Sequence, residues 1–290
     1  MSLTEQLFKT CFYKSDDNLN LFYRDYHPGN EADAVPVICL HGLTRNARDF
    51  DEIACHLAKS RRVIVPDLRG RGLSDYDAQW QNYHPYTYVD DVWQLVSALK
   101  LGKVIVIGTS LGGLMAMIMA AQKPQMLEAV ILNDIGPELA PEGLLRIKSY
   151  LSEVQKDYSL DQAIARAKKI NQDFFPDYQD NDWRNFVLRI HKVNAQNRYE
   201  LEYDPNVFLA LSQLGGLPED PWHYFNALAR IPCLLLHGEL SDLLTSDIVE
   251  KMRTQKPDLQ YAMVPRCGHA PFLNEPAALA AIDAFMQNLP

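Results

Sequence analysis

A serine between two glycines is the first group in this sequence that could carry catalytic chemistry. It lies in Gly108-Thr-Ser-Leu-Gly112, between a short β-branched run at 104–107 and an apolar segment of helical length at 113–122. In a strand-turn-helix context this pattern predicts a sharp turn, a nucleophile elbow, with glycines where side chains would clash. The turn would expose the hydroxyl of Ser110 at the start of the helix. We therefore predict that Ser110 is a nucleophile.

A serine hydroxyl needs an imidazole to accept its proton and a carboxylate to orient that imidazole. His269 is the candidate base, because it lies in a glycine-flanked loop after the last predicted strand. Asp242 follows the preceding strand, and the order Ser110, Asp242, His269 is expected when each residue ends its own strand. We predict Asp242 as the acid. Asp134, at the end of the next strand after the elbow, is the alternative acid, and Glu239 is a third candidate.

Two backbone N–H groups could stabilise the negative charge that develops on a substrate carbonyl oxygen. One normally belongs to the residue after the nucleophile, here Leu111, which also begins a helix. The loop His41-Gly-Leu-Thr-Arg-Asn46 should supply the second, and we assign it to Leu43. We expect His41 to bind backbone groups and shape this loop.

Strand patterns alternate with helical patterns along much of the chain, which predicts a mainly parallel sheet with helices on its faces. A hairpin around Asp16-Asp17-Asn18 is expected at one edge, so that the sheet is mixed there. The predicted parallel strands are 35–40, 62–66, 103–107, 129–132, 231–236 and 260–264, and the predicted helices are 50–59, 88–99, 113–122, 246–255 and 276–287.

The alternation stops between about 138 and 225, where the sequence is polar and helical and shows no strand pattern. We interpret this segment as a helical cap inserted into a core made of 1–137 and 226–290. Its predicted helices are 144–154, 161–170 and 183–193, and the loop 214–218 should lead back to the core.

Composition excludes several other classes of protein. The 290 residues include 28 Lys and Arg against 37 Asp and Glu, and the net charge of −9 argues against nucleic acid or an anionic membrane as partner. The same charge weighs against anionic substrates. The five cysteines are scattered and no Cys/His cluster has zinc spacing, so we expect a reducing compartment and no metal. With neither a signal segment nor a membrane-length apolar run in the sequence, we expect a cytoplasmic monomer or homodimer that does not insert into membranes.

From about Tyr13 to the C-terminus the sequence resembles the α/β-hydrolase superfamily, through His41-Gly42, Asp67-Leu-Arg-Gly-Arg-Gly-Leu-Ser-Asp75, Gly108-Thr-Ser-Leu-Gly112, Gly238-Glu-Leu-Ser-Asp242 and Gly268-His269. The resemblance implies an eight-stranded, mostly parallel sheet and no cofactor. It also implies a triad of Ser110, Asp242 and His269 and an oxyanion hole at Leu43 and Leu111. It does not imply a substrate. Asp67, Arg69 and Asp75 resemble charges at a catalytic rim, and we interpret them as pairs that hold their loop.

A serine at the elbow favours acyl transfer to water, since the dehalogenases and epoxide hydrolases of this superfamily carry Asp there. The main hypothesis is a carboxylic-ester hydrolase that acts on a small to medium apolar substrate. One alternative is a C–C bond hydrolase or acyltransferase with the same triad, for which Arg45, Asn46 and Arg48 are available. Another is a small-molecule receptor with the hydrolase fold and little turnover.

The substrate pocket is expected between the strand ends and the cap. We predict that Ile135, Phe272, Leu144 and Trp183 line it, together with Leu43, Leu111, Ile147, Phe174 and Phe175, and that it takes an apolar acyl or aryl group. Because the base must be a neutral imidazole, we expect activity to fall as the pH drops through about 6 to 7.

Overall fold

The computed structural model describes residues 8–27, 34–152, 157–214 and 220–289. Eight of its strands form one sheet: β1 (Lys9–Lys14), β2 (Asn20–Tyr26), β3 (Val37–Leu40), β4 (Val63–Pro66), β5 (Val104–Thr109), β6 (Leu127–Asn133), β9 (Cys233–Gly238) and β10 (Gln260–Val264). Two short strands, β7 (His191–Val193) and β8 (Tyr199–Leu201), pair with each other outside this sheet.

The strand order in the large sheet is β1-β2-β4-β3-β5-β6-β9-β10. Strand β2 is antiparallel to both of its neighbours, and the remaining neighbouring pairs are parallel. The turn between β1 and β2 places Asn18 in the left-handed region with φ of 68°, a conformation that Asn tolerates better than most residues. The prediction of a mostly parallel sheet with a hairpin at one edge is confirmed.

Helices cover both faces of the sheet because the inner strands are apolar on both sides, as buried parallel strands are. Alternate residues of β3, β4 and β5 belong to two separate apolar clusters, one on each face. One cluster includes residues of α2 (Pro85–Ala98), α3 (Leu111–Gln122) and α9 (Ser246–Gln255), and the other includes residues of α1 (Asp51–Leu57) and α10 (Pro276–Met286).

Between β6 and β9 the chain forms α4 (Pro141–Ser152), α5 (Leu160–Asn171), α6 (Asp180–Ile190), α7 (Asn206–Leu214) and α8 (Pro221–Asn226). The expectation of a segment without strands was wrong, because β7 and β8 form a hairpin there, and β7 begins where the third predicted helix should continue to 193. These strands have three residues each, too short to give a period in the sequence. Residues 215–218 of the predicted exit loop lie outside the described residues.

We propose to keep 138–225 as the boundaries of the insertion, called the cap below, and 1–137 with 226–290 as the core. Within the described ranges, no helix combines the length and the apolar character needed to cross a bilayer.

Candidate active site

The elbow forms where β5 meets α3. Ser110 has φ of 53° and ψ of −116°, a strained conformation for a residue with a side chain. A Cβ on Gly108 would lie 2.3 Å from the carbonyl oxygen of Gly112, and one on Gly112 would lie 2.0 Å from that of Leu40. Both distances are too short for real atoms, so the predicted need for glycine at these two positions is confirmed.

Three side chains from distant parts of the chain form one hydrogen-bonded row. The hydroxyl Oγ of Ser110 lies 2.9 Å from Nε2 of His269, and Nδ1 of the same ring lies 2.8 Å from Oδ2 of Asp134. When the Nδ1–H donates to the carboxylate, Nε2 carries the lone pair that can accept the serine proton. The row therefore has the geometry of an activated serine nucleophile.

The preference for Asp242 as the partner of His269 was wrong, and the structure places the alternative, Asp134, at the imidazole. Asp134 follows β6 directly, adopts φ of 55° and is fully buried. Its carboxylate also accepts hydrogen bonds from the N–H of Gly238 at 2.9 Å and from the hydroxyl of Ser241 at 2.6 Å. The loop after β9 thus holds the carboxylate of Asp134 in place instead of placing its own at the imidazole.

Asp242 faces the cap. Its carboxylate forms a two-point ion pair with the guanidinium of Arg146 in α4, at 2.6 and 2.8 Å. The third candidate, Glu239, accepts a hydrogen bond from the N–H of Arg266 at 2.7 Å. The carboxylates of both residues are thus directed at partners other than His269, whose Nδ1 is bound by Asp134.

The two groups assigned to the oxyanion hole flank the elbow. Leu111 is the first residue of α3, where N–H groups have no partner within the helix and the helix dipole favours negative charge. Leu43 lines the cavity described below, and a Cβ on the preceding Gly42 would lie 3.7 Å from Cβ of Ser110. The loop after β3 is therefore close to Ser110, and the role of both N–H groups stays a prediction.

His41 shapes this loop, as predicted. Its Nδ1 lies 2.8 Å from the carbonyl oxygen of Gly42, and its Nε2 accepts a hydrogen bond from the N–H of Leu68 at 3.0 Å. Complete burial lowers the pKa of His41 to about 3, with the positive charge of Arg71 adding to the effect. The ring is neutral at pH 7 and joins two loops at the carboxyl edge of the sheet.

The charged residues of the loop after β4 hold that loop, which confirms the interpretation made from the sequence. Asp67 accepts hydrogen bonds from the N–H groups of Ala47 and Leu73, and burial raises its pKa to about 6. The guanidinium of Arg69 is buried between Asp91 and Asp77, with nitrogen-to-oxygen distances of 2.7 Å to both, and Asp75 binds Asn20.

A cavity of about 140 Å³ lies next to Ser110 and His269. Among the residues predicted to line it, Phe272 does so, as do Leu43, Ile147 and Phe175. The prediction was wrong for Ile135, Leu144 and Trp183, and also for Leu111 and Phe174, which are not in its lining.

The misplaced residues pack elsewhere. Ile135 is buried against Gly113 in the core, Leu144 packs on the apolar cluster of the same face, and Trp183 packs against Tyr178 and Phe186 inside the cap. Their apolar character identified buried positions, but it could not identify which buried surface they join.

Of the charged and histidine residues in the lining, sequence reasoning had singled out Arg45 and His269 but missed Asp49, Arg146, Arg166 and His191. One signal was present in α5. Ala163, Arg166, Ala167 and Ile170 follow helical spacing and share one face, and all four line the cavity. An arginine on an otherwise apolar helical face could have marked this face as part of a polar site.

Within the described ranges, no group of three or more His, Cys, Asp or Glu side chains is arranged to hold a metal ion. The residues brought together at the elbow are a hydroxyl, an imidazole and a carboxylate. This set can transfer a proton and attack a carbonyl carbon without further groups.

Comparison with known proteins agrees with this geometry. A family model described as the α/β-hydrolase fold matches residues 35–276. A 3-hydroxybutyrate-oligomer hydrolase of Cupriavidus necator is 34% identical over 271 residues, which cover 90% of this chain and 91% of that protein. An sn-1-specific diacylglycerol lipase of Danio rerio is 27% identical over 278 residues, 93% of this chain and 83% of the lipase.

Among solved structures, an α/β hydrolase from Novosphingobium aromaticivorans has a TM-score of 0.91 and 37% identity, and the match covers 97% of this chain and 98% of that one. Similarity over nearly the whole length, in both sequence and structure, leaves one conclusion: this chain belongs to the α/β-hydrolase family.

Proposed function

We propose that this protein is a serine hydrolase that cleaves carboxylic esters through an acyl-enzyme on Ser110. The observation that carries the proposal is the hydrogen-bonded row of Ser110, His269 and Asp134 beside the cavity. A hydroxyl, a correctly oriented imidazole and a buried carboxylate are the three parts that nucleophilic acyl transfer requires.

The mechanism follows from the hydrogen bonds. Oγ of Ser110 attacks the ester carbonyl carbon while Nε2 of His269 takes the serine proton, and the C–O bond to the alcohol then breaks as His269 returns that proton to the leaving oxygen. Asp134 keeps the proton of the neutral ring on Nδ1 and stabilises the imidazolium. The N–H groups of Leu43 and Leu111 bind the oxyanion. Water, activated by His269, hydrolyses the acyl-enzyme.

The cavity is small, which favours a substrate whose enclosed group is small. A volume of about 140 Å³ is close to that of an engineered cavity of about 150 Å³ that holds benzene. The names of two relatives, an oligomer hydrolase of a hydroxy acid and a diacylglycerol lipase, refer to compounds whose units are joined by ester bonds, which supports ester cleavage over other acyl transfers.

The C–C hydrolase alternative rested on Arg45, Asn46 and Arg48. Of these, only Arg45 lines the cavity. The side-chain amide of Asn46 donates to the carbonyl oxygen of Arg189 at 3.0 Å, and the guanidinium of Arg48 donates to the same oxygen at 2.8 Å. Because these two side chains bind the cap backbone, the proposal of an ester substrate is preferred.

The test combines covalent labelling with turnover. A serine-directed fluorophosphonate should add one adduct, located on Ser110 by peptide mass mapping, and p-nitrophenyl esters of short acids should be hydrolysed faster than those of long acids. The Ser110→Ala variant should lose the adduct and at least about 10⁴-fold in kcat. Absence of labelling at Ser110 would refute the hydrolase, and labelling without turnover of any ester would favour the receptor alternative.

A further inference from the structure

One arginine of the cavity lining differs from the others. Arg45 is paired with Asp49, and Arg146 is paired with Asp242. Arg166 has no carboxylate partner among the residues that the structure describes, and its hydrogen bond there runs from Nη2 to the carbonyl oxygen of Tyr150 at 2.6 Å. A guanidinium has five N–H donors in a planar fork that suits a carboxylate. Among the described residues, Arg166 therefore brings to the cavity a positive charge that no carboxylate pairs.

An acceptor without a donor lies in the same lining. Nδ1 of His191 lies 2.9 Å from the carbonyl oxygen of Val187, so Nδ1 carries the proton and Nε2 the lone pair. Nε2 is buried and has no hydrogen-bond partner among the described residues, and His191 as a whole is only 6% exposed. Burial lowers the pKa of His191 to about 4, and the charge of Arg166 adds to the effect, so that the ring is neutral at pH 7.

These two residues lie near each other on the cap side of the cavity. The ring of Tyr158 lies 5.8 Å from Cζ of Arg166 and 6.1 Å from the ring of His191, so both residues border the same aromatic side chain. Ser110 and His269, from the core, line the same cavity. A bound molecule can therefore contact the cap residues while its carbonyl faces the nucleophile.

Arg166 and Nε2 of His191 require different groups on a bound molecule, an anion and a hydrogen-bond donor. A buried acceptor that stays unpaired costs stability, which a donor on the ligand would recover. The guanidinium calls for an anion, whereas the remaining lining on this side is mainly apolar, with Ala163, Ala167 and Ile170 from α5. One small unit with a carboxylate, a hydroxyl and a short carbon skeleton satisfies all three conditions.

We propose that Arg166 and His191 form a subsite for a short hydroxycarboxylate unit of the substrate. Arg166 binds the carboxylate, and Nε2 of His191 accepts a hydrogen bond from the hydroxyl. The proposal rests on the proposed function, because the unit is joined to the ester that Ser110 cleaves through a third functional group, which leaves its carboxylate and its hydroxyl free for the subsite. It also replaces the expectation, made from the net charge of −9, that anionic substrates are disfavoured: the charge of the lining differs from that of the whole chain.

The test measures binding of three small molecules that are not esters, by isothermal titration calorimetry at millimolar concentration. 3-Hydroxybutyrate carries both groups, butyrate lacks the hydroxyl, and 3-hydroxybutyramide lacks the charge. The wild-type protein should bind 3-hydroxybutyrate about 10- to 100-fold more tightly than the amide and about 2- to 10-fold more tightly than butyrate, the sizes expected for a charged and a neutral hydrogen bond.

Two variants locate the contacts. Arg166→Gln should abolish the preference over the amide, and His191→Phe should abolish the preference over butyrate while leaving butyrate affinity unchanged. Arg184→Gln and His223→Phe, at exposed positions of the cap, are the matched controls and should change neither preference. Equal affinity of the wild-type protein for all three ligands would overturn the subsite, whether or not the variants fold, and so would variants that keep both preferences.

Fluorophosphonate labelling of Ser110, measured on the same samples, separates this proposal from the proposed function. Binding preferences without labelling would keep the subsite and reject the hydrolase. Labelling and ester turnover without the binding preferences would keep the hydrolase and reject the subsite.

Discussion

The core and the cap meet at one cavity but contribute different kinds of residues. The core supplies Ser110, Asp134 and His269, two of which sit immediately after strands of the central sheet. The cap supplies Arg146, Arg166, His191 and the apolar face of α5. In the core the strands are buried and apolar on both sides, whereas the join between the two regions combines apolar packing with charged contacts, such as those of Arg48 with Glu202 and of Arg189 with Glu52.

We infer from this difference that the core holds the reacting groups, whereas the cap holds the groups that select the substrate. Reacting groups need positions fixed to a fraction of an ångström, and backbone hydrogen bonds between buried strands provide that precision. Contacts with a substrate tolerate more variation, and a polar surface can be altered without disturbing the sheet. We therefore expect substitutions in the core to affect catalysis or folding strongly, and substitutions of the charged residues at the join between core and cap to have small effects.

The largest difference is expected between two aspartates of the core, one that contacts His269 and one that contacts the cap. Asp134→Asn should lower kcat/KM for a p-nitrophenyl ester by about 10⁴-fold, because an amide favours the wrong tautomer of His269. Asp242→Asn should cost less than about 10-fold, since it weakens a partly exposed ion pair worth about 1 kcal/mol. Steady-state kinetics on both variants decide the matter, and the reverse order would transfer the acid role to Asp242.

Packing at the elbow should show the next largest effect. Gly112→Ala would force a methyl group within 2.0 Å of the carbonyl oxygen of Leu40, and we expect a loss of about 3 kcal/mol or more in the free energy of unfolding in urea. The control is Gly102→Ala, because a Cβ there meets nothing within 4 Å. That variant should change stability by no more than about 0.5 kcal/mol. Equal stability of the two variants would contradict the close contact between α3 and β3.

Acid should destabilise the fold through one buried neutral histidine in each region, His41 in the core and His191 in the cap. An unfolded imidazole takes up its proton near pH 6.5, whereas burial lowers the pKa of these rings to about 3 and about 4. Between these values the unfolded state binds more protons, so stability falls as the pH falls, by about 1.4 kcal/mol per pH unit for each ring.

The measurement is urea unfolding at pH 7 and pH 5. Asp67 and Asp91, whose pKa values burial raises to about 6, act in the opposite direction, but they are common to all variants. His191→Phe should therefore reduce the loss between the two pH values by about 2 kcal/mol relative to the wild-type protein. An unchanged loss would show that His191 does not titrate as a buried ring.

The smallest effect is expected at the ion pair between α4 and the loop after β9. The side chains of Arg146 and Asp242 are each 18% exposed, and a double-mutant cycle with Arg146→Gln and Asp242→Asn should give a coupling energy of about 1 kcal/mol. Coupling above about 3 kcal/mol would mean that the pair is desolvated like a core contact. It would also mean that charged contacts between core and cap stabilise the protein as strongly as contacts within the core.

Individual residues show how far sequence reasoning reaches. Gly108 could be read from the motif because the elbow is a local structure, and a Cβ there would meet Gly112, four residues away. The motif also includes Gly112, although the group that excludes a side chain there is Leu40 on β3. His41 was interpreted correctly for the same reason, since its position next to a turn limits it to backbone partners. The strands β7 and β8 were missed because three residues cannot show a period.

The choice between Asp134 and Asp242 needed the tertiary structure. Both residues follow strands that neighbour each other in the sheet, and both lie in short loops. What separates them is direction: Asp134 is buried toward His269 with donors from Gly238 and Ser241, whereas Asp242 turns toward Arg146 on a helix almost a hundred residues earlier in the chain. No local pattern encodes that partner.

The sequence by itself determined the parallel sheet and the turn that carries Ser110, and it singled out His269, because hydrophobic periodicity and turn chemistry act over neighbouring residues. Only the tertiary structure decided which carboxylate completes the row and which face of the cap borders the cavity. The reason is physical: the direction of a carboxylate and the partner of an arginine are set by groups far away in the chain, and these become neighbours only when the cap packs on the core.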